Sequence, residues 1–232
     1  YVGQKQGEIW GYETYGLFQS EQEIAGAANQ DKVSGGIKLM PGDIRFVDRN
    51  NDGVIDWGDN TVDNPGDKKI IGNSTPRYHY GINLGADWKG FDLGIFFQGV
   101  GKRDLYLPGT SFRSHYGSEW QVPSAYNNDY WTEENTGAYF PRARFNGGSA
   151  INQAQTRYMV DASYCRLKSV SIGYTLPKVL TQKASIEKIR IYFTGENLFT
   201  ISDTPDGLDP ELDNPYTYPM QRSLSVGLSL TF

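Results

Sequence analysis

The clearest pattern along the chain is the strict alternation of apolar and polar positions in five segments. In SLSVGLSLTF, the last ten residues, Leu224, Val226, Leu228, Leu230 and Phe232 fall on one face of an extended chain, and small polar residues fall on the other. Alternation with a period of two predicts β-strands with one apolar face. The other predicted strands are, in chain order, RYHYGINLGADW, FDLGIFFQG, SYCRLKSVSIGYTLP and IEKIRIYFTGENLFT.

The connections between these strands alternate in length. Only Lys89 and Gly90 join the first two strands, whereas the next connections span about sixty, about eleven and about twenty residues. Outer-membrane β-barrels alternate short periplasmic turns with longer extracellular loops in this way. With the short turns on one side, the apolar faces end there in aromatic rings, which predicts an aromatic girdle at the membrane interface. The predicted girdle consists of Trp88, Phe91, Tyr174 and Phe232.

The same alternation is also typical of a soluble β-sandwich, in which one face of each sheet packs inward. The loop lengths and the common level of the rings favour the barrel. Five strands cannot close a transmembrane barrel, since the smallest barrels have about 8 strands. We therefore expect part of a larger barrel, in which residues 1–76 supply a strand and an acidic loop and residues 77–232 supply five strands with two long extracellular loops.

Composition supports a β-protein and excludes some partners. Aromatic residues make up 14% of the 232 residues, and such rings suit pleated surfaces and membrane interfaces. The net charge of -5 argues against a nucleic-acid partner, which would require a basic surface. The mean hydropathy of -0.55 does not exclude a membrane, because barrel strands alternate and have low average hydropathy.

The segment DRNNDGVIDWGD has the spacing of a calcium-binding loop. Oxygen-bearing side chains two residues apart, followed by a glycine, are what a hard cation of flexible geometry requires. The predicted ligands are Asp48, Asn50, Asp52, Val54 through its carbonyl, Asp56 and Asp59. The twelfth position is an aspartate instead of the usual glutamate, and no flanking helices are evident. The alternative is a turn that folds through its own Asx side chains without metal.

The long connection from 100 to 160 contains aromatic residues that could stack on a substrate or contact a lid protein. They are Trp120, Tyr126, Tyr130, Trp131 and Tyr139. The alternative is that these rings pack the connection against its own barrel, because a segment of that length must bury something to stay ordered. The same connection holds Asp129, Glu133 and Glu134, but nothing in the sequence places these carboxylates around one substrate, so no enzymatic activity is expected.

Seven segments in order resemble the C-terminal part of SusC/RagA-type TonB-dependent outer-membrane transporters of Bacteroidota. They are GYETYGLFQSEQE, PGDIRFVDRNNDGVID, IGNSTPRYHYGINLGADWKGFDLGIFFQG, DASYCRLKSVSIGYTLP, IRIYFTGENLFT, GLDPE and SLSVGLSLTF. Each segment is weak alone, but their order and spacing are specific. The resemblance covers nearly the whole chain.

This resemblance implies an all-β chain that forms C-terminal strands of a large, plugged antiparallel barrel of roughly 22 strands. Such proteins import oligosaccharides or peptides together with a SusD-like surface lipoprotein, and the TonB complex acts on a plug that this sequence lacks. The expected location is the bacterial outer membrane with the C-terminus at the periplasmic side, where a terminal aromatic residue, here Phe232, serves as an assembly signal. The alternative function is a secreted, calcium-stabilised β-sandwich that binds carbohydrate.

Overall fold

The computed structural model describes residues 3–106, 129–144, 148–205, 208–212 and 217–232. Most of the regular structure is antiparallel β-sheet. In chain order the strands are β1 Glu8–Tyr12, β2 Thr14–Leu17, β3 Ile44–Phe46, β4 Lys68–Asn73, β5 Tyr78–Trp88, β6 Phe91–Gly101, β7 Asp104–Tyr106, β8 Met159–Asp161, β9 Tyr164–Thr175, β10 Lys188–Ser202 and β11 Ser223–Thr231.

The helices are short. The α-helices are α1 Glu21–Ala25, α2 Asp31–Ser34 and α3 Lys178–Thr181, and 3₁₀ turns span Ala150–Asn152, Thr156–Tyr158 and Gln182–Ala184. Helix α1 begins at Ser20, whose hydroxyl accepts a hydrogen bond from the backbone N–H of Glu23. No helix in the described ranges is long and apolar enough to cross a membrane.

The chain divides into two compact units. Unit 1 comprises Tyr1–Thr75 and Asp104–Val160, and unit 2 comprises Pro76–Arg103 and Asp161–Phe232. Unit 2 begins at Pro76, next to the predicted division of the chain at residue 76, and that division stays a prediction. The segment Asp104–Val160 packs with the first 75 residues in unit 1.

Unit 1 has a hydrophobic core built from short two-stranded sheets and the segments between them. Strand β1 pairs with β4, and β2 pairs with β3. The buried core cluster consists of Tyr12, Leu17, Val33, Ile44, Phe46, Ile55, Trp131, Ala138, Phe140, Ala150, Ile151 and Tyr158. These residues come from both parts of unit 1, so the described residues of the long connection pack against the first 75 residues.

Unit 2 contains one five-stranded sheet in the order β11-β10-β9-β6-β5. Every neighbouring pair is antiparallel, and the five strands are those that the alternation predicts. Strands β5 and β6 form a hairpin whose two turn residues, Lys89 and Gly90, have φ angles of 47° and 91°. Positive φ at both positions is the requirement of the tight hairpin turn that matches strand twist.

Candidate functional site

The five-stranded sheet presents one continuous apolar face. In the hydrogen-bond register, one row across the sheet contains Trp88, Phe91, Tyr174, Ile191 and Leu228. The adjacent row contains Ala86, Leu93, Ile172, Phe193 and Val226. Because the register is regular here, the apolar positions of all five strands lie on the same side of the sheet.

This apolar face is exposed. Leu224, Val226 and Leu228 of β11 are 62%, 78% and 59% exposed, and Ile82 and Leu84 of β5 are 48% and 53% exposed. A monomeric soluble protein rarely exposes an apolar surface that runs across five strands, because such a surface associates with other apolar material. The face therefore requires an apolar environment or partner.

The structure brings three of the four predicted girdle rings together. Trp88 lies opposite Phe91, and Phe91 lies opposite Tyr174 with ring centroids 4.5 Å apart. Phe232 is not in this row, since the row reaches β11 at Leu228, four residues before it. Phe232 is 84% exposed. Its level relative to a membrane and its role in assembly stay predictions.

On the opposite, polar face, an ion pair spans a central strand. The guanidinium of Arg190 on β10 donates two hydrogen bonds to the carboxylate of Asp92 on β6, at 2.9 and 2.5 Å. The pair passes over Gly173 of β9, which lies opposite Asp92. A Cβ atom on Gly173 would stand 2.5 Å from the Asp92 carboxylate and 2.6 Å from the Arg190 guanidinium. The glycine therefore leaves the space that the ion pair occupies.

We expect Gly173→Ala to displace this ion pair. Since both displaced groups are the ends of flexible side chains, the sheet should stay folded while the coupling between Asp92 and Arg190 is lost. The measurement is a double-mutant cycle with Asp92→Asn and Arg190→Gln, in which the free energy of unfolding of the intact protein in detergent is determined with urea. The cycle should give a coupling free energy between the two side chains only when residue 173 is glycine. The matched control is Gly94→Ala, because a Cβ there has no atom within 4 Å. An undiminished coupling in the Gly173→Ala background would contradict this account.

A β-bulge places two basic residues of β9 on the polar face. Phe96 pairs with Ser169 and Phe97 with Leu167, so Lys168 is an extra residue in the ladder. A bulge changes the direction of local side chains while the rest of the strand keeps its alternation. As a result, both Arg166 and Lys168 reach Glu211.

These basic residues hold the segment 208–212 in an ion-pair network. Arg166 donates to Glu211 at 2.6 Å, to Asp209 at 2.5 Å and to the Thr200 hydroxyl at 2.8 Å. Lys168 donates to the same Glu211 oxygen at 2.9 Å, and Arg103 donates to the carbonyl of Pro210. The side chain of Arg166 is only 3% exposed, and that of Asp209 only 6%.

The network favours the charged form of Asp209. Burial by itself would raise the pKa of this carboxyl, but hydrogen bonds from Arg166 and from the backbone N–H groups of Glu211 and Met220 outweigh burial, so the pKa lies below its usual value. The segment 208–212 is thus tied to the sheet by a carboxylate that stays ionised.

The acidic loop is ordered by its own side chains. Asp48 accepts hydrogen bonds from the backbone N–H groups of Asn51 and Gly53, and Asp52 accepts from that of Val54. Asp56 pairs with Lys32 at 2.7 Å, and this contact lowers the pKa of Asp56. The side chain of Asp59 accepts from Asn64. These bonds are those of an Asx-rich turn.

Within the described ranges, no group of three or more His, Cys, Asp or Glu side chains is arranged to hold a metal ion. Asp48, Asn50 and Asp52 keep the order of an EF-hand-like loop, but the Lys32 ammonium already neutralises Asp56.

Calcium binding stays a prediction. It requires that a calcium chelator increase protease cleavage at Arg49 in the intact protein. Calcium binding would be contradicted if the chelator leaves cleavage at Arg49 unchanged and the Asp52→Asn protein is cleaved there at the same rate as the wild type.

The predicted aromatic contacts have different surroundings. Trp131 is 3% exposed, and its indole N–H donates to the side chain of Gln19. It is a core residue of unit 1, so its prediction as a substrate or lid contact is wrong. Tyr130 and Tyr139 are 38% and 37% exposed, and their predicted role is untested. Tyr139 also packs edge-on against Phe140 and Tyr158. The other two predicted contacts, Trp120 and Tyr126, lie outside the described residues.

The carboxylate of Asp129 has a structural role. It accepts hydrogen bonds from the Asn135 side chain and from the backbone N–H of Tyr139, both at 2.9 Å. These bonds lower the pKa of Asp129. A general acid needs a raised pKa, so Asp129 does not have the environment of a general acid.

The Arg166 network is the feature that sequence reasoning missed. The segment GLDPE stood out only as part of a family resemblance, and nothing in its local pattern indicated a partner 43 residues earlier in the chain. A signal was present, because Lys168 and Ser169 are two consecutive polar residues in a strand that otherwise alternates apolar with polar positions. Such a break shifts the alternation by one residue, which is what a β-bulge does.

Comparison with known proteins gives relatives along the whole chain. The chain is 31% identical, over 99% of its length, to TonB-dependent receptor P3 of Formosa agariphila, and it covers 22% of that protein. It is 29% identical, over 81% of its length, to TonB-dependent receptor SusC of Bacteroides thetaiotaomicron, and it covers 17% of that protein. It thus spans about a fifth of the length of these relatives. No protein-family model matches the chain.

Solved structures share the fold. The structure of the RagAB peptide transporter matches with a TM-score of 0.68 and 22% sequence identity, over 97% of this chain and 22% of that chain. The RagAB peptide importer in the closed-closed state matches with a TM-score of 0.65 at the same identity. The predicted fold class, an antiparallel all-β portion of a large barrel, is confirmed by this similarity and by the sheet topology.

Proposed function

Because the chain belongs to the SusC/RagA-type TonB-dependent receptors, we propose that it forms part of the wall and extracellular loops of an active importer in the bacterial outer membrane. The observation that carries the proposal is the exposed apolar face of the five-stranded sheet. In lipid this face is stable, because the backbone groups are paired within the sheet and apolar side chains contact the hydrocarbon.

The two edge strands support the same proposal. Strands β5 and β11 each have one neighbour in this sheet, which leaves one side of each strand without a partner in the sheet. An unpaired edge in lipid is costly, so both strands need neighbours from the rest of the same transporter. We place the short β5–β6 turn and the C-terminus on the periplasmic side.

The importer takes up oligosaccharides or peptides and works with a SusD-like surface lipoprotein. The solved relatives are described as peptide importers, and one sequence relative is SusC. Energy comes from the TonB complex, which acts on the plug domain of the transporter. The chain itself contributes passage and capture and no bond-making step, consistent with relatives named as receptors.

The alternative, a secreted β-sandwich that binds carbohydrate, is disfavoured by one observation. A sandwich buries the apolar face of one sheet against a second sheet. Here that face is exposed on all five strands, with Ile172 and Ile191 of the central strands 47% and 48% exposed.

Capture from native outer membranes tests the proposal. Membranes are solubilised in detergent, the complex is isolated through this chain, and its polypeptides are identified by mass spectrometry. We expect additional barrel and plug sequence together with a SusD-like lipoprotein. A lone 26 kDa species in the soluble fraction would overturn the proposal in favour of the secreted module.

A further inference from the structure

A groove on unit 1 combines an exposed aromatic ring with charged side chains. Its volume is ≈ 310 Å³. The lining residues that matter are Tyr15, Gly16, Gln19, Glu23, Arg45, Gly137 and Arg157. A second, smaller groove of ≈ 200 Å³ shares Tyr15 and Arg45 and is otherwise lined by Gly26–Ala28 and Phe46–Asp48. Tyr15 and Arg45 therefore form a ridge between two adjoining grooves.

The ring of Tyr15 projects because of an irregularity in its strand. The register of β2 with β3 shifts between Thr14 and Gly16, so Tyr15 is an extra residue. Its side chain is 73% exposed. Gly16 has a φ of 130°, a conformation that L side chains rarely adopt. The local backbone is thus shaped to present Tyr15 at the surface.

Arg45 holds the ring in place. Its guanidinium carbon lies 4.7 Å from the Tyr15 ring centroid and 5.8 Å from that of the buried Phe18. In the described part of the chain, no acceptor takes a hydrogen bond from this guanidinium. A half-buried arginine that is fixed between two rings and has no hydrogen-bond acceptor among the described residues is preorganised to donate to a ligand.

The rest of the groove supplies both donors and acceptors. Arg157 uses two nitrogens to bind the carbonyls of Ala138 and Tyr139, which fixes its side chain at the groove wall. One oxygen of Glu23 accepts from the backbone N–H of Gln19. The apolar lining residues Leu17 and Ala138 are buried, so the surface that a ligand meets is a ring surrounded by polar groups.

We infer that this groove is an oligosaccharide-binding subsite, with Tyr15 as its stacking platform. Sugar hydroxyls both donate and accept hydrogen bonds, which matches cationic donors and a carboxylate acceptor in one groove. The C–H face of a sugar ring packs on an aromatic ring. The two adjoining grooves allow a chain of sugar units to cross the ridge. The inference rests on the proposed function and specifies the substrate class of the importer.

Gly137 offers a way to block the groove without disturbing the fold. It lines the groove, and a Cβ added there would have no atom within 4 Å. Gly137→Leu should therefore fill the groove while leaving the core of unit 1 intact. Tyr15→Ala removes the platform, and Tyr15→Phe is the matched control because it keeps the ring.

The test uses the complete transporter, purified in detergent. Binding to hexasaccharides of α- and β-linked glucose, galactose, mannose and xylose is screened on an array, and the Kd of the tightest is measured by calorimetry. Tyr15→Ala should raise this Kd by about tenfold or more, a loss of the size expected for an aromatic stacking contact. Gly137→Leu should do the same, and Tyr15→Phe should stay within about twofold of the wild type.

Three outcomes would overturn the subsite: no hexasaccharide binds, the Tyr15→Ala protein binds as tightly as the wild type, or a random pentapeptide library binds instead and depends on Tyr15. Uptake of the bound sugar by cells separates this inference from the proposed function. If Tyr15→Ala cells take up the sugar as fast as wild-type cells, the proposed importer is supported and the subsite is contradicted. If binding depends on Tyr15 but no cells take up the sugar, the subsite is supported and the importer is contradicted.

Discussion

Replacing Leu228 with arginine is expected to prevent stable assembly of the sheet in the outer membrane. Leu228 lies at the centre of β11, opposite Ile191, on the apolar face that we place in lipid. Arginine on the lipid-facing side of a membrane β-barrel costs up to about 2–4 kcal/mol, the full value at the midplane, which is a large part of a typical folding free energy. The measurement is the amount of folded transporter recovered from outer membranes of cells that express the variant.

Ser225→Arg is the matched control. Ser225 lies on the same strand, on the polar face opposite Thr194. It should assemble at the wild-type level, because an arginine there contacts water. Normal assembly of Leu228→Arg, or equal loss in both variants, would show that the assignment of faces is wrong.

The second large effect is expected for Arg166→Met. The change leaves the carboxylates of Asp209 and Glu211 without their buried cation, and removing one partner of a buried pair costs roughly 3–5 kcal/mol. Lys168 still contacts Glu211, which places the expected cost near the lower limit. The segment 208–212 should then be cleaved by chymotrypsin at Leu208 or Leu212 in the folded transporter, whereas the wild-type segment should resist.

Two further variants make this prediction specific. Arg222→Gln removes an exposed cation nearby but leaves the chymotrypsin sites of the segment in place, so it should leave chymotryptic cleavage unchanged. Adding Asp209→Asn to Arg166→Met should restore part of the resistance, because it removes the buried carboxylate that has lost its cation, while Glu211 keeps its contact with Lys168. Cleavage that is equally fast in this double variant would mean that Arg166 acts through packing alone.

The pH dependence of the segment should change sign in Arg166→Met. In the wild type the folded-state pKa of Asp209 lies below its ordinary value of 3.8, so its stabilisation is present above that value and is lost as the pH falls through the folded pKa. In Arg166→Met the hydrogen bond and the charge of Arg166 no longer lower the pKa of Asp209, so we expect burial, the largest of the opposing causes, to raise it. Acidification should then protect the segment in the variant, whereas it exposes the segment in the wild type.

The sequence predicts the sheet well because its signal is local. Each strand of unit 2 repeats an alternation that needs no knowledge of its neighbours, and the two-residue turn at Lys89 and Gly90 fixes one pairing directly. The rings of Trp88, Phe91 and Tyr174 fall in one row for the same reason.

The parts that could not be predicted depend on long-range contacts. The bulge at Lys168 breaks the period of β9, and its consequence, the contact of Arg166 with Asp209, joins positions 43 residues apart. Trp131 becomes a core residue only because residues from both parts of unit 1 meet around it. An aromatic residue in a polar segment gives no local sign of whether it is buried or exposed.

The groove at Tyr15 is a further feature that the sequence pattern did not predict. Alternation in GEIWGYETYGLFQ is poor, and the reason is visible in the structure, where the register of β2 shifts at the residue that carries the exposed ring. The poor alternation in this segment therefore reflects the extra residue Tyr15 in strand β2, whose ring is exposed, and not the absence of a strand.

The most direct test of the central claim is a cysteine scan of β11 in the assembled transporter, with Cys165 replaced by alanine. Single cysteines at positions 223 to 231 are treated with a water-soluble, membrane-impermeant maleimide and, separately, with a lipid-soluble one. We predict a period of two, in which Ser223, Ser225, Gly227, Ser229 and Thr231 positions react from water and the intervening leucine and valine positions react only from lipid. Equal reaction at both sets of positions would contradict a sheet that stands as a wall between lipid and water.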